Sequence, residues 1–154
     1  MLILIHSKEG KQMKKWFATK SQTAQVDFVL LLVRLVTGYA MMLHGWGKIQ
    51  APFNWMPDSG VPGIFQALAA LSEFGGGLAL IFGLVTPLAS LGLLITMSVA
   101  AFFHAVVRGD PFVGTGGPSF EPATLYILIT LILIVMGPGR FSLDRKFFGV
   151  KSAN

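Results

Sequence analysis

Long unbroken apolar runs, rather than alternating ones, dominate this chain. Four stand out, at about Val26 to Lys48, Ile64 to Leu84, Pro87 to Val107 and Phe120 to Met136. Each is near the roughly 20 residues that a helix needs to cross the hydrocarbon core of a bilayer. None has the period-two alternation of a barrel strand. The fourth is the shortest, and it stops at Gly137-Pro138-Gly139, which does not continue a helix comfortably. The pattern predicts an all-α integral membrane protein, a four-helix bundle spanning residues 26–146. A basic tail (1–25) precedes it and a short tail (147–154) follows.

The connections set the layout. Val85-Thr86-Pro87 leaves so little chain between the second and third runs that they must be antiparallel neighbours. Gln50 to Gly63 and Arg108 to Ser119 are longer and rich in Pro and Gly. Lysines 8, 11, 14, 15 and 20 lie before the first run, and Arg140, Arg145, Lys146 and Lys151 lie after the last. The long loops contribute only Lys48 and Arg108, at helix edges. Positive-inside bias therefore puts both termini in the cytoplasm and the long loops outside. Trp46, Trp55, Phe112 and Phe120 are expected at the outer interface, and Trp16, Phe141, Phe147 and Phe148 at the inner one. Met13 opens MKKWFATK, which is similar to a bacterial start, so the true start is Met1 or Met13. Arg34 interrupts the first run and no small-x-small site follows it, so signal-peptide cleavage is not expected.

Composition narrows the class. Of 154 residues, 53% are hydrophobic and only 12% charged, about half the charged share of a soluble domain. The net charge of +5 flanks apolar runs and forms no stripe with interleaved aromatics, so it marks orientation rather than nucleic-acid binding. The chain has no cysteine. That excludes intrinsic disulfides, C-x-x-C chemistry, thiolate-held iron–sulfur clusters and c-type haem attachment. No metal-binding motif, phosphate loop or Ser-His-Asp arrangement is present.

The candidate chemistry lies in polar residues inside the runs. Arg34, Gly38, Met41, Gly45 and Lys48 fall within about 40° of one line down the first helix, with His44 about 80° to one side. A charged face at membrane depth should point into protein or a wet cavity. Arg34 and Glu73 are placed at similar depth and are expected to pair, either to set helix register or as a functional site. His44, Lys48, His104 and Glu121 form an expected outer cluster. The histidines suit proton exchange near neutral pH or plain backbone bonding, and Glu121 suits a helix start. Gly75-Gly76-Gly77 beside Glu73 reads as tight helix packing, or as room for a flat ligand ring. Axial ligation of haem b by His44 and His104 needs two imidazoles at similar depth, but no spacing motif accompanies them.

Arg34-Leu35-x-x-Gly38 followed by His44-Gly45-x-x-Lys48 resembles the first-helix signature of the DoxX family. Glu73-x-x-Gly76-Gly77-Leu78-Ala79-Leu80-x-x-Gly83-Leu84-x-Thr86 resembles its second. Gly137-Pro138-Gly139-Arg140-Phe141-Ser142-Leu143-Asp144 is similar to its C-terminal ending. The likeness runs in order from Phe28 to Lys146. It implies a four-helix bacterial inner-membrane protein, often in redox settings, with relatives such as the small subunit of thiosulfate:quinone oxidoreductase.

Three functions are open at this point. One is a quinone-linked redox subunit, with Arg34, Gly38, Glu73, Gly76, Gly77 and Glu121 around the ring and Glu73, Arg34, His104 and His44 serving the chemistry. The second is a non-catalytic scaffold that anchors an oxidoreductase partner at the bilayer. The third is a small transporter or lipid-binding protein, which four helices without an internal repeat would support best as a homo-oligomer.

Overall fold

The computed structural model describes residues 16–149. The lysines at 8, 11, 14, 15 and 151, and the start at Met13, lie outside the described residues. Four long helices carry the fold: α1 (Ala24–Gln50), α2 (Gly63–Phe82), α3 (Thr86–Phe102) and α4 (Glu121–Met136). One π-helical turn, Phe103–Val107, extends α3 toward the outer side. A short α5 (Leu143–Phe148) closes the described chain. Among the described residues α1, α2 and the extended α3 are long and apolar enough to cross a membrane. The 16 residues of α4 cover only about 24 Å at 1.5 Å per residue. Its inner end is completed by the Gly-Pro-Gly segment.

Local chemistry explains the boundaries. The Thr23 hydroxyl accepts from the Val26 amide and opens α1. Pro87 and Pro122 occupy first-turn positions of α3 and α4, where no amide proton is required. Gly83 ends α2 in the left-handed conformation (φ +62°). Val85 follows with φ +44°, a conformation that costs a β-branched residue on the order of 1–3 kcal/mol. That turn is therefore held by contacts from elsewhere in the chain.

The helices pack in antiparallel order, α1 on α2, α2 on α3 and α3 on α4, with a light contact between α1 and α4. The tightest seam is α1–α2. A Cβ added at Gly38 would lie 2.6 Å from the Gly77 carbonyl oxygen, and one at Gly77 would lie 2.6 Å from the Gly38 oxygen and the Met42 amide. Backbone thus meets backbone, the usual solution where lipid offers no hydrophobic drive between helices. The face expected on α1 is the buried one: Arg34, Gly38, Met41 and Gly45 are all buried.

The centre is an apolar layer of Leu30, Met41, Leu80, Leu93, Met97 and Leu133, all buried. Outside it, Val36, Leu43, Leu71, Ile95, Val99 and Leu128 are exposed, as a lipid-facing surface requires. Four spans bring both ends of the described chain to one face. Lys20, Arg140, Arg145 and Lys146 gather there, which makes it the cytoplasmic side by the positive-inside rule. Thr19 binds Gly149 through backbone at 3.0 Å, tying the entry of the chain to its exit.

Candidate functional site

The polar groups form an inner layer and an outer layer, with the apolar centre between them. In the inner layer Arg34, 1% exposed, spends its guanidinium on main chain. Nε donates to the Leu80 oxygen at 3.1 Å, Nη1 to the Pro138 oxygen at 2.5 Å and Nη2 to the Phe141 oxygen at 2.8 Å. Leu80 lies in the last turn of α2, where the helix dipole is negative, and Pro138 and Phe141 lie in the segment that follows α4, so the arginine ties the end of one helix to the chain leaving another. Arg34 Nη1 would sit 2.7 Å from a Cβ at Gly83, so glycine there serves both the turn and the arginine.

Two carboxylates complete this layer. Asp27 accepts from the Arg140 amide at 2.9 Å and from Arg140 Nε at 2.7 Å. Asp144 accepts from the amides of Val85 (2.6 Å) and Thr86 (2.8 Å). It thereby caps α3 and holds the strained Val85 in place. Burial pushes the Asp144 carboxyl above the usual carboxylate range, against the pull of those amides and of the Arg34 charge. The Gly-Pro-Gly-Arg-Phe-Ser-Leu-Asp ending is thus a lock on the cytoplasmic end of the bundle.

The expected Arg34–Glu73 pair is not formed. Arg34 is level with Leu80, and Glu73 stands seven residues further up α2, about 10 Å along the axis. α1 and α2 begin and end at different levels, so similar positions along the two helices do not bring these side chains level. Glu73, 2% exposed, pairs instead with Lys48: Nζ lies 2.6 Å from Oε1. Its second oxygen, Oε2, is buried and has no hydrogen-bond partner among the described residues. Lys48 is 27% exposed, and its Nζ sits 4.6 Å from the centre of the Trp55 ring.

Trp55, in the first outer loop, is half-buried. Its indole N–H donates to the Gln66 carbonyl at 2.9 Å, which turns the ring inward over Lys48. Gln66, buried on α2, fastens the first outer loop, accepting from the Met56 amide at 2.9 Å and donating to the Val61 oxygen at 2.8 Å. Lys48, Glu73, Trp55 and Gln66 therefore make one assembly in the outer half of the bundle. Composition alone signals nothing of it. The only hint is that Gln66 and Glu73 lie one heptad apart and face the same way as Lys48.

The other expected partners are dispersed. His44 is exposed, with its ring edge-on to Tyr126 of α4 at 6.2 Å. His104 binds Asp110 through Nδ1 at 2.6 Å, and Arg108 reaches the same carboxylate at 3.2 Å. Glu121 opens α4 at its first position. No hydrogen bond or ion pair among the described residues joins His44, Lys48, His104 and Glu121 into one cluster. Nor do the glycines frame a ring: Gly77 is filled by Gly38 and Met42, and Gly76 faces Leu93 at 3.4 Å. Among the described residues no three His, Asp or Glu side chains come together as metal ligands.

Comparison with known proteins places this architecture. The DoxX family profile matches residues 29–105. An uncharacterized protein of Haemophilus influenzae is 35% identical over 126 residues, covering 79% of this chain and 92% of that protein. Inner membrane protein YqjF of Escherichia coli is 32% identical over 123 residues, 77% of this chain and 92% of YqjF. The Bacillus subtilis protein named "Putative oxidoreductase CatD" is 28% identical over 128 residues, 80% of this chain and 91% of CatD. No solved structure gives a significant match. With the profile falling on the helices that carry Arg34, Lys48 and Glu73, and relatives aligned over most of its length, this chain belongs to the DoxX family of membrane proteins.

Proposed function

We propose that this protein is a bacterial inner-membrane subunit of a redox system that uses a quinone, and that the ring binds in the outer half of the bundle at Glu73, Lys48 and Trp55. The observation that carries this reading is the Glu73 carboxylate. One oxygen is neutralised by Lys48, and the other is buried without a partner among the described residues. Leaving a buried charged oxygen unpaired costs more than about 1–3 kcal/mol, a cost that a bound polar group would relieve. The Trp55 indole offers a flat face beside it, and Lys48 a cation at the outer edge. The redox part of the reading draws support from the name of CatD, and the location from that of YqjF.

The reading puts the quinone at this assembly, where the unmatched polar atom lies, and not at the glycine seam, where the neighbouring backbone takes the room. When bound, the ring would supply the two-electron chemistry. The residues of the chain would anchor it, exclude water and accept or return a proton at Glu73 Oε2. Below the site, the apolar layer of Met41, Leu80, Leu93 and Leu133 leaves no charged step toward Arg34. Proton exchange is therefore directed through Lys48 to the outer side, which also counts against a transporter.

A scaffold is the second reading, and the inner layer favours it, because Arg34, Asp27 and Asp144 are all used in holding the bundle. Its partner would be an oxidoreductase that docks on the cytoplasmic basic face. Purification in mild detergent followed by absorbance and mass spectrometry separates the two. The redox reading expects a co-purifying quinone that is absent from Glu73→Gln while that variant accumulates normally. Unchanged quinone-coupled activity in Glu73→Gln would end it and leave the scaffold.

A further inference from the structure

The segment from Trp16 to Gln22 passes under the cytoplasmic end of α4 and satisfies its last carbonyls. Lys20 Nζ donates to the Val135 oxygen at 2.5 Å, and Gln22 Nε2 to the Met136 oxygen at 3.3 Å. Beside this strap lies a shallow groove of about 260 Å³, counting its open mouth, with Trp16, Phe17, Lys20, Pro87, Val135 and Pro138 in its lining. We propose that the groove seats one anionic phospholipid of the inner leaflet, with the phosphate on Lys20 and the acyl chains along the lipid-facing side of α4. The site lies at the opposite end of the bundle from Glu73 and does not rest on the reading given under the proposed function.

Charge complementarity selects the headgroup. A lysine ammonium has several donors, and Lys20 spends one on Val135. Among the described residues no carboxylate forms an ion pair with it. Asp27 and Asp144, the carboxylates of this face among the described residues, are buried and committed to Arg140 and to the amides of Val85 and Thr86. The exposed charge of the described face, from Lys20, Arg140 and Lys146, is therefore of one sign. A basic pocket at the cytoplasmic end of membrane helices suits an anionic headgroup. A choline headgroup would bring a further cation to it.

The helix lengths supply the rest. The 16 residues of α4 reach about 24 Å, short of the roughly 30 Å hydrocarbon core. A span that falls short draws the bilayer surface toward its end, which sets the headgroup level at Lys20. Trp16, 68% exposed at the groove, is the amphipathic ring expected at that level. Leu128, Leu131, Ile132 and Val135 are exposed along one side of α4 and give the acyl chains a surface that leads to the groove.

The test uses the full chain, delipidated in mild detergent and titrated with phosphatidylglycerol or phosphatidylcholine of the same acyl chains. Lipid-bound states are counted by native mass spectrometry. One phosphatidylglycerol should bind at least about fivefold more tightly than phosphatidylcholine, the effect of one basic residue beside an anionic headgroup. Lys20→Gln keeps a donor for Val135 but loses the charge, and should bring the two lipids within about twofold of each other. Lys20→Arg should restore the gap. Lys146→Gln removes a charge from the same face outside the groove lining and should leave the gap unchanged. Ala18→Leu crowds the groove with Lys20 intact and should weaken phosphatidylglycerol at least about fivefold, which keeps the site testable if Lys20→Gln fails to fold. Equal binding of the two lipids by the unaltered protein would overturn the site. So would an equal loss in Lys146→Gln and Lys20→Gln, the mark of a diffuse basic face. Displacement of the lipid by millimolar inorganic phosphate would overturn the lipid as occupant in favour of a free anion.

Discussion

The inner and outer polar layers contain the same kinds of residue and treat them oppositely. On the cytoplasmic side each buried charge is matched. Arg34 has a carbonyl for each of its three nitrogens, and both oxygens of Asp27 and of Asp144 are filled. Among the described residues the two orphans there, Thr86 Oγ1 and Ser90 Oγ, are neutral hydroxyls, which are cheaper to leave unpaired than a charge. On the outer side Lys48 and Glu73 pair in only one bond, and a carboxylate oxygen is left over. A fully matched layer holds a structure together. An incompletely matched one retains capacity for a ligand. Being charged within a membrane is thus no guide to function until the partners are counted.

That contrast can be tested by substitution, with thermal unfolding in detergent and steady-state membrane level as readouts. The largest effect is expected for Arg34→Ala, which removes three side-chain bonds that tie the end of α2 to the segment after α4. A loss of about 3–5 kcal/mol, typical of breaking a buried polar network, should leave little protein in the membrane. Normal accumulation of that variant would remove the inner layer's structural role. Next comes Gly77→Ala, whose new Cβ meets the Gly38 oxygen and Met42 amide at 2.6 Å. Forcing α1 and α2 apart should cost about 1–3 kcal/mol, and an unchanged unfolding temperature would show that the seam is softer than described. Asp144→Asn keeps one acceptor oxygen and loses the other, so one of the caps at Val85 and Thr86 goes. About 1–2 kcal/mol is expected, accompanied by faster proteolysis at the turn between α2 and α3.

Smaller effects belong to the outer layer. Trp55→Phe removes the N–H bond to Gln66 and should cost about 1 kcal/mol, while weakening ring binding because the indole no longer lies over Lys48. Glu73→Gln sharpens the comparison most. Its effect on stability should stay within about 1 kcal/mol, since a neutral amide can still accept from Lys48 and relieves a buried charge. Its effect on quinone binding should be near complete. A variant of Glu73 that collapses like Arg34→Ala would place both layers in the same structural class.

Much of this was legible in the chain itself. Four apolar runs with Pro and Gly at their ends dictate four helices, because only a helix satisfies every backbone group of a continuous apolar segment in lipid. The ends moved by only one or two residues, and α3 gained its π-helical turn. The line of Arg34, Gly38, Met41 and Gly45 predicted the buried face of α1 by periodicity alone. The family was legible too, since its signatures fall on these same residues.

Partners were not legible, and the reason is geometric. Periodicity reports which way a side chain points around its own helix, but not how far one helix slides along another. A slip of seven residues along α2 decides whether Glu73 meets Arg34 or Lys48. The slip itself is set by backbone contact between Gly38 and Gly77, which no pattern along a single helix contains. Arg34's partners are main-chain carbonyls, and the sequence carries no mark for them because every residue has one. The chain alone determined helices, faces and orientation, which depend on local hydrophobicity and charge. Tertiary packing decided which charges are consumed and which oxygen is left, because that depends on distances between segments remote in sequence.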